Sequence, residues 1–151
     1  MNSHANALDV PMKKLHPDAV LPTRAHDTDA CYDVVAVEET TIEPGSVGKV
    51  RLGFALALPE GWEAQLRPRS GLCSKGIIGM FGTIDAAYRG ELSAIILNMS
   101  GVTWTCTPGM RVAQMAIRPV HSANFGITAE LNETDRGTGG FGSTGMTAKG
   151  F

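Results

Sequence analysis

A chain of 151 residues with 43% hydrophobic and 19% charged residues has the size and composition of one ordinary globular domain, which excludes a disordered chain and removes the need for metals or disulfides to hold a core. A formal net charge of −2 excludes a global electrostatic footprint for nucleic acid or an acidic membrane surface, so the positive charge for any polyanionic ligand must be local. Three widely spaced cysteines without a CxxC pair (Cys31, Cys73, Cys106), four histidines without metal-ligand spacing, and no apolar run of membrane length or export type predict a cytoplasmic protein with reduced thiols, without nucleic-acid or membrane partners.

In chain order, Val50 to Leu58 alternates Val50, Leu52, Phe54, Leu56 and Leu58 with Arg51, Gly53, Ala55 and Ala57, the period of a strand with one face on a core. Trp62, Ala64 and Leu66 alternate in the same way. Leu92–Asn98 and Val112–Val120 are further strand candidates, and turns are expected at Pro44-Gly45, Pro59-Glu60-Gly61 and Pro108-Gly109. One short helix is expected at about Ser70 to Lys75, capped by Ser70 and ended by Gly76. Many short strands joined by regular turns predict an all-β sandwich, jelly roll or barrel.

The end of the chain departs from this pattern. Arg136 to Gly145 holds five glycines, too many for a regular strand, and by composition reads as a flexible tail. It also carries Arg136, Phe141, Ser143 and Thr144, groups that bind phosphate or stack on a base once ordered. Gly137 to Gly142 matches GxGxxG, but the strand before and the helix after that a dinucleotide site requires are missing, and no P-loop lysine is present.

Four internal segments carry candidate chemistry, each with a plainer alternative. Asp85, in Gly82-Thr83-Ile84-Asp85-Ala86-Ala87-Tyr88-Arg89-Gly90, is a turn aspartate or a carboxylate able to deprotonate a water. Pro68-Arg69-Ser70-Gly71-Leu72 is a capped turn with a surface arginine, or a phosphate cradle built from a guanidinium fork and helix-start amides. Gln114, polar within an apolar strand, is a core hydrogen-bonder or a ligand contact, and Asp33 is a surface aspartate or part of a site.

Taken together and in order, Tyr32-Asp33-Val34, Pro68 to Leu72, Gly82 to Gly90, Gly109 to Gln114 and Arg136 to Gly145 resemble the five motifs of the trimeric dUTPase family, and they span most of the chain. The resemblance implies a β jelly-roll homotrimer with shared active sites and a single domain over residues 1–151: a β core at about 11–130 and a C-terminal lid at about 131–151. It implies hydrolysis of dUTP to dUMP and pyrophosphate with Mg²⁺, which keeps uracil out of DNA and supplies dUMP for thymidylate synthesis. Asp85 is then the general base. Tyr88 packs under the deoxyribose and excludes a 2′-hydroxyl, and a hairpin from about Gly76 to Gly82 reads uracil through its main chain. Ser70, Gly71 and Gln114 hold the phosphates, Arg69 supports the phosphate site and the trimer contact, Arg136 meets the γ-phosphate, Phe141 stacks on uracil, and Gly142, Ser143 and Thr144 complete the lid. Asp33 touches Mg²⁺ through a water.

This chain departs from the family pattern at three places. Met110 stands where the fourth motif usually has Asp, which changes how Arg111 can be held; Cys31 and Cys73 occupy positions of small residues. Two alternatives accompany the main reading: a dCTP deaminase-like enzyme, disfavoured because Ile95 stands where that enzyme carries a glutamate base, and a non-catalytic jelly-roll binding or regulatory protein.

Overall fold

The computed structural model describes residues 7–141. The chain is nearly all β, in the order β1 (Met12–Lys14), β2 (Tyr32–Val35), β3 (Thr40–Ile42), β4 (Val47–Arg51), β5 (Phe54–Leu56), β6 (Trp62–Arg67), α1 (Ser70–Cys73), β7 (Ile77–Gly79), β8 (Gly82–Ile84), β9 (Ser93–Asn98), β10 (Trp104–Cys106) and β11 (Arg111–Pro119). All pairings are antiparallel. One sheet has the order β2-β11-β6-β8 and another β4-β9-β7, with two-stranded ribbons β1-β5 and β10-β3. The fold is all-β and jelly-roll-like. Among the described residues no helix is long and apolar enough to cross a membrane.

The alternation predicted for Val50 to Leu58 finds the inward residues, since Val50, Leu52, Phe54, Leu56 and Leu58 all lie in the core, but not the outward ones: Gly53 and Ala55 are buried as well, and β5 is covered on both faces. It does not describe one continuous strand. The chain breaks at Gly53, whose φ of +73° suits only glycine and where a Cβ would press on Val37 and His16. Strand β4 therefore pairs with β9, while β5 leaves to pair with β1.

The short helix also starts differently from the expectation. Ser70 is not the cap; Arg69 is, because the backbone is still extended there (φ −99°, ψ 128°), and no side chain caps the helix. The helix also stops sooner than expected, at Cys73 with Ser74 as its C-cap; Gly76 closes the turn that follows, at φ +78° with its amide on the Cys73 carbonyl, and a Cβ there would meet the Ser100 backbone at 2.9 Å.

The expected hairpin at about Gly76 to Gly82 is not a paired hairpin. Strand β7 pairs with β9 and β8 pairs with β6, so the chain crosses from one sheet to the other at Met80-Phe81. The Met80 amide bonds the Ile95 carbonyl, and Gly79 lies so close on Pro68 that a Cβ would sit 3.0 Å from the Pro68 Cα. These contacts hold the two strands apart.

By contact the chain forms two units, Met1–His121 and Ser122–Phe151. All the named strands lie in the first. In the second, no strand forms among the described residues, and Phe125, Ile127 and Leu131 project almost wholly into solvent. A turn at residues 135–138 is held by the Gly137 amide on the Thr134 carbonyl and the Gly139 amide on the Arg136 carbonyl.

Candidate active site

The strand order brings one set of predicted residues together. Asp33 on β2 faces Gln114 on β11, and Gln114 faces Arg67 at the end of β6, where the chain turns into α1. The Asp33 carboxylate pairs with Arg69 Nε at 3.0 Å and with Arg111 Nη1 at 3.4 Å. Arg69 also donates through Nη1 to the Arg111 carbonyl at 3.1 Å. Gln114 donates through Nε2 to the Pro68 carbonyl at 2.8 Å, fastening the connection between β6 and α1. An apolar strand thus supplies one polar side chain to fix a loop, and an acid between two guanidiniums sets the loop's arginine.

Ser70 and Gly71 lie exposed on the first turn that this scaffold presents. With no side chain acting as cap, the early amides remain available to an anion. A Cβ at Gly71 would meet nothing within 4 Å, so packing does not demand glycine there. What glycine leaves at that position is room for a close approach to the backbone.

Arg111 is the residue that sequence reasoning left without a role. Met110 packs against the core, and the Arg111 guanidinium lies on the Asp33 carboxylate. The signal for this was present in the Met110 departure, but the partner, 78 positions earlier in the chain, is set by the pairing of β2 with β11.

The second set surrounds a cavity of about 250 Å³ lined by Gly82, Asp85 and Tyr88, together with Lys49, Glu91 and Ile95 among others. Asp85 directly follows β8 and is exposed; its carbonyl accepts the Tyr88 amide at 3.0 Å, which closes a turn beneath the tyrosine. The Tyr88 hydroxyl donates to the Glu91 carbonyl at 3.2 Å. The ring lies against Gly90, where any Cβ would overlap it. Gly90 is therefore required for the ring's position.

The two sets are separated within one chain. In the β6–β8 register, Leu66 faces Gly82 and Ala64 faces Ile84, so Asp85 comes level with Glu63 near the start of β6, whereas Arg67 is its last residue and α1 follows beyond. Four residues of strand correspond to roughly 13 Å. One chain alone does not bring Asp85 beside Ser70 and Arg69.

In the second unit Arg136 is exposed and donates through Nε to the Gly139 carbonyl at 3.0 Å. Phe141 has a positive φ of 50° and is fully solvent-exposed. Gly142, Ser143 and Thr144 lie outside the described residues.

Among the described residues no three His, Cys, Asp or Glu side chains converge to hold a metal ion. The Asp33 carboxylate is already committed to two arginines. The thiols take no part in either set: burial pushes Cys106 up to about 11, and Cys31 and Cys73 are free and partly exposed.

Comparison with known proteins gives one family. The dUTPase family model matches residues 18–145. The chain is 42% identical over 135 residues to a deoxyuridine 5′-triphosphate nucleotidohydrolase of Picosynechococcus sp., covering 87% of this chain and 95% of that one. It is 44% identical to that of Clostridium tetani, covering 89% and 94%. Among solved structures, the Staphylococcus bacteriophage 80alpha dUTPase with dUPNHPP superposes with a TM-score of 0.85 at 28% identity, covering 92% of this chain and 99% of that one. A dUTPase from phage phi11 of S. aureus, whose structure concerns coordination of a structural Mg(II) ion, gives 0.76 at 26% identity, covering 82% and 99%.

Proposed function

The chain belongs to the dUTPase family and is a dUTP nucleotidohydrolase, and on that premise we propose that it cleaves dUTP at the α-phosphorus with Asp85 as general base, in a site completed by other copies of the chain. A water held by the Asp85 carboxylate attacks the α-phosphorus. The bond from that phosphorus to the bridging oxygen breaks, pyrophosphate leaves in line, and the water's proton passes to Asp85. The exposed position of Asp85, beside a cavity rather than inside a core, supports this role.

The observation that carries the shared site is the register of β6 with β8, which puts Asp85 and the Ser70 turn at opposite ends of the strand pair. A triphosphate anchored at Ser70 and Gly71 of one chain needs its aspartate from another. The second unit supports the same reading. Phe125 and Ile127 stand almost wholly in solvent, apolar surface that a partner copy would cover. We assign the assembly as a homotrimer in which each site takes its phosphate cradle, its aspartate loop and its lid from three different chains.

In that site Ser70, Gly71 and Gln114 hold the α- and β-phosphates, and Arg69 supports the phosphate site and the contact between copies. Arg136 meets the γ-phosphate, and Phe141 stacks on uracil with Gly142, Ser143 and Thr144 closing the lid. Tyr88 lies under the deoxyribose and leaves no space for a 2′-hydroxyl. The place where β7 and β8 part, between Gly79 and Gly82, suits entry of a flat base read by main-chain groups. Mg²⁺ bound to the phosphates would neutralise charge that develops on them, and Asp33 would orient it through a water. The deaminase alternative is disfavoured by Ile95, which lines the Asp85 cavity with a side chain unable to move a proton.

Pyrophosphate release measured with Mg²⁺ from dUTP, UTP, dTTP and dCTP tests the reading. Release from dUTP alone is expected. Release from UTP at a comparable rate would overturn the Tyr88 gate, and production of dUTP or dUMP from dCTP would favour the deaminase.

A further inference from the structure

The cavity around Asp85 and Tyr88 has a polar network at its back that the proposed mechanism does not use. Arg51, at the end of β4, reaches Glu91 through Nε (3.0 and 3.1 Å) and Nη2 (3.0 Å), and reaches Glu38 through Nη1 at 3.0 Å. Glu91 also accepts the Gly53 amide at 3.1 Å. A fork-to-carboxylate pair with a third donor fixes the orientation of Glu91 far more tightly than a single exposed ion pair does. The two acids also hold the Arg51 guanidinium protonated: bonding and attraction to Glu91, then attraction to Glu38, raise its pKa.

Glu91 is the residue whose carbonyl receives the Tyr88 hydroxyl. The same peptide group donates its amide, that of Leu92, to the Phe54 carbonyl at 2.9 Å, and Leu92 in turn receives the Leu52 amide at 3.1 Å. One face of this peptide is therefore set by the β4–β5 break, and its other face holds the tyrosine. Arg51 and Gly53, both at that break, brace the side chain of the same residue. The sequence reading placed Arg51 merely as the outward-facing partner in an alternating strand, because nothing local connects it with a glutamate 40 positions later.

We infer that Arg51 is a positioning residue for sugar discrimination: by locking Glu91 to the β4–β5 break it holds the Tyr88 ring over Gly90, where the ring meets the sugar. This rests on Tyr88 acting as the sugar gate, but the arrangement of the ring can be read without any nucleotide.

Two measurements test it. In the first, kcat/KM for UTP is divided by that for dUTP in the native chain, Arg51→Met, Arg51→Lys and Glu91→Gln. Arg51→Met is expected to raise the ratio roughly five-fold, the factor that a single modest contact controls, mainly through a lower KM for UTP. Arg51→Lys, which keeps the charge without the fork, is expected to fall between Arg51→Met and the native chain. Should Arg51→Met fail to fold, Glu91→Gln retains the backbone and carries the same expectation.

In the second, fluorotyrosine replaces the chain's two tyrosines, Tyr32 and Tyr88, and ¹⁹F spectra are recorded without nucleotide, with Tyr32→Phe assigning the signals. The Tyr88 signal is expected to move toward that of free fluorotyrosine in Arg51→Met and Glu91→Gln while the Tyr32 signal stays in place. A Tyr88 signal unchanged in both variants overturns the inference, as does an unchanged ratio accompanied only by a lower melting temperature. A native chain that hydrolyses UTP as readily as dUTP, with the Tyr88 signal still moving, would instead overturn the sugar gate and leave Arg51 as the residue that sets the ring.

Discussion

The Asp33 cluster and the Asp85 loop are built by opposite means. Around Asp33 the side chains are saturated with one another: two arginines on one carboxylate, and Gln114 on the Pro68 carbonyl. At Asp85 the carboxylate is exposed and its turn is made by backbone bonds, with the ionic bracing set behind it at Arg51 and Glu91. The first region is assembled before any ligand arrives, and what it presents is shape: an uncapped turn with Ser70 and Gly71 free. The second leaves the Asp85 carboxylate, the proposed base, without an internal partner. A base that must take a proton is better left without a strong internal partner, whereas an anion cradle gains by being preorganised.

This contrast predicts that damage in the two regions will be felt in different quantities. The largest effect is expected from Asp85→Asn. An amide cannot accept the water's proton, so kcat should fall by about 10²–10⁴-fold, with dUTP affinity and thermal stability near native. Near-native turnover in steady-state assays would remove Asp85 as base. Deleting the chain from Arg136 onward comes next. The first unit, which contains every named strand, should melt as before, while kcat drops by about 10²–10³-fold through loss of the γ-phosphate and lid contacts. Undiminished turnover in the truncated chain would refute the lid.

The smallest effect on turnover, and the largest on stability, is expected from Asp33→Asn. It leaves Arg69 and Arg111 without their shared carboxylate. The cost should be about 1–3 kcal/mol, read from the shift in denaturant midpoint at constant slope. If Asp33→Asn instead abolished turnover at full stability, Asp33 would belong with Asp85 as a group kept for the reaction, and the division between the two regions would fail.

Much of this protein was legible in its sequence because the information is local. Alternation at a period of two identified Ala64 and Leu66 in β6 and the inward residues from Val50 to Leu58, because a half-buried strand turns every second side chain to a core, but it missed the burial of Gly53 and Ala55, where β5 is covered on both faces. Pro-Gly and Glu-Gly turns punctuated the strands, and the ordered residues from Tyr32 to Gly145 pointed to the family that the chain belongs to. Short strands such as β1, β3 and β10 escaped, because three residues are too few to display a period.

What only the tertiary structure decided is non-local. Which sheet each strand joins depends on contacts that no window of sequence contains, so β4 and β5 read as one strand although Gly53 sends them to different partners, and β7 and β8 read as a hairpin although they pair elsewhere. The polar side chains follow the same rule. Asp33 with Arg111 and Arg51 with Glu91 are joined across separations of 78 and 40 residues by strand register alone. Residue types state what chemistry is available, but a charge finds its partner only after hydrophobic burial has fixed which strands lie side by side.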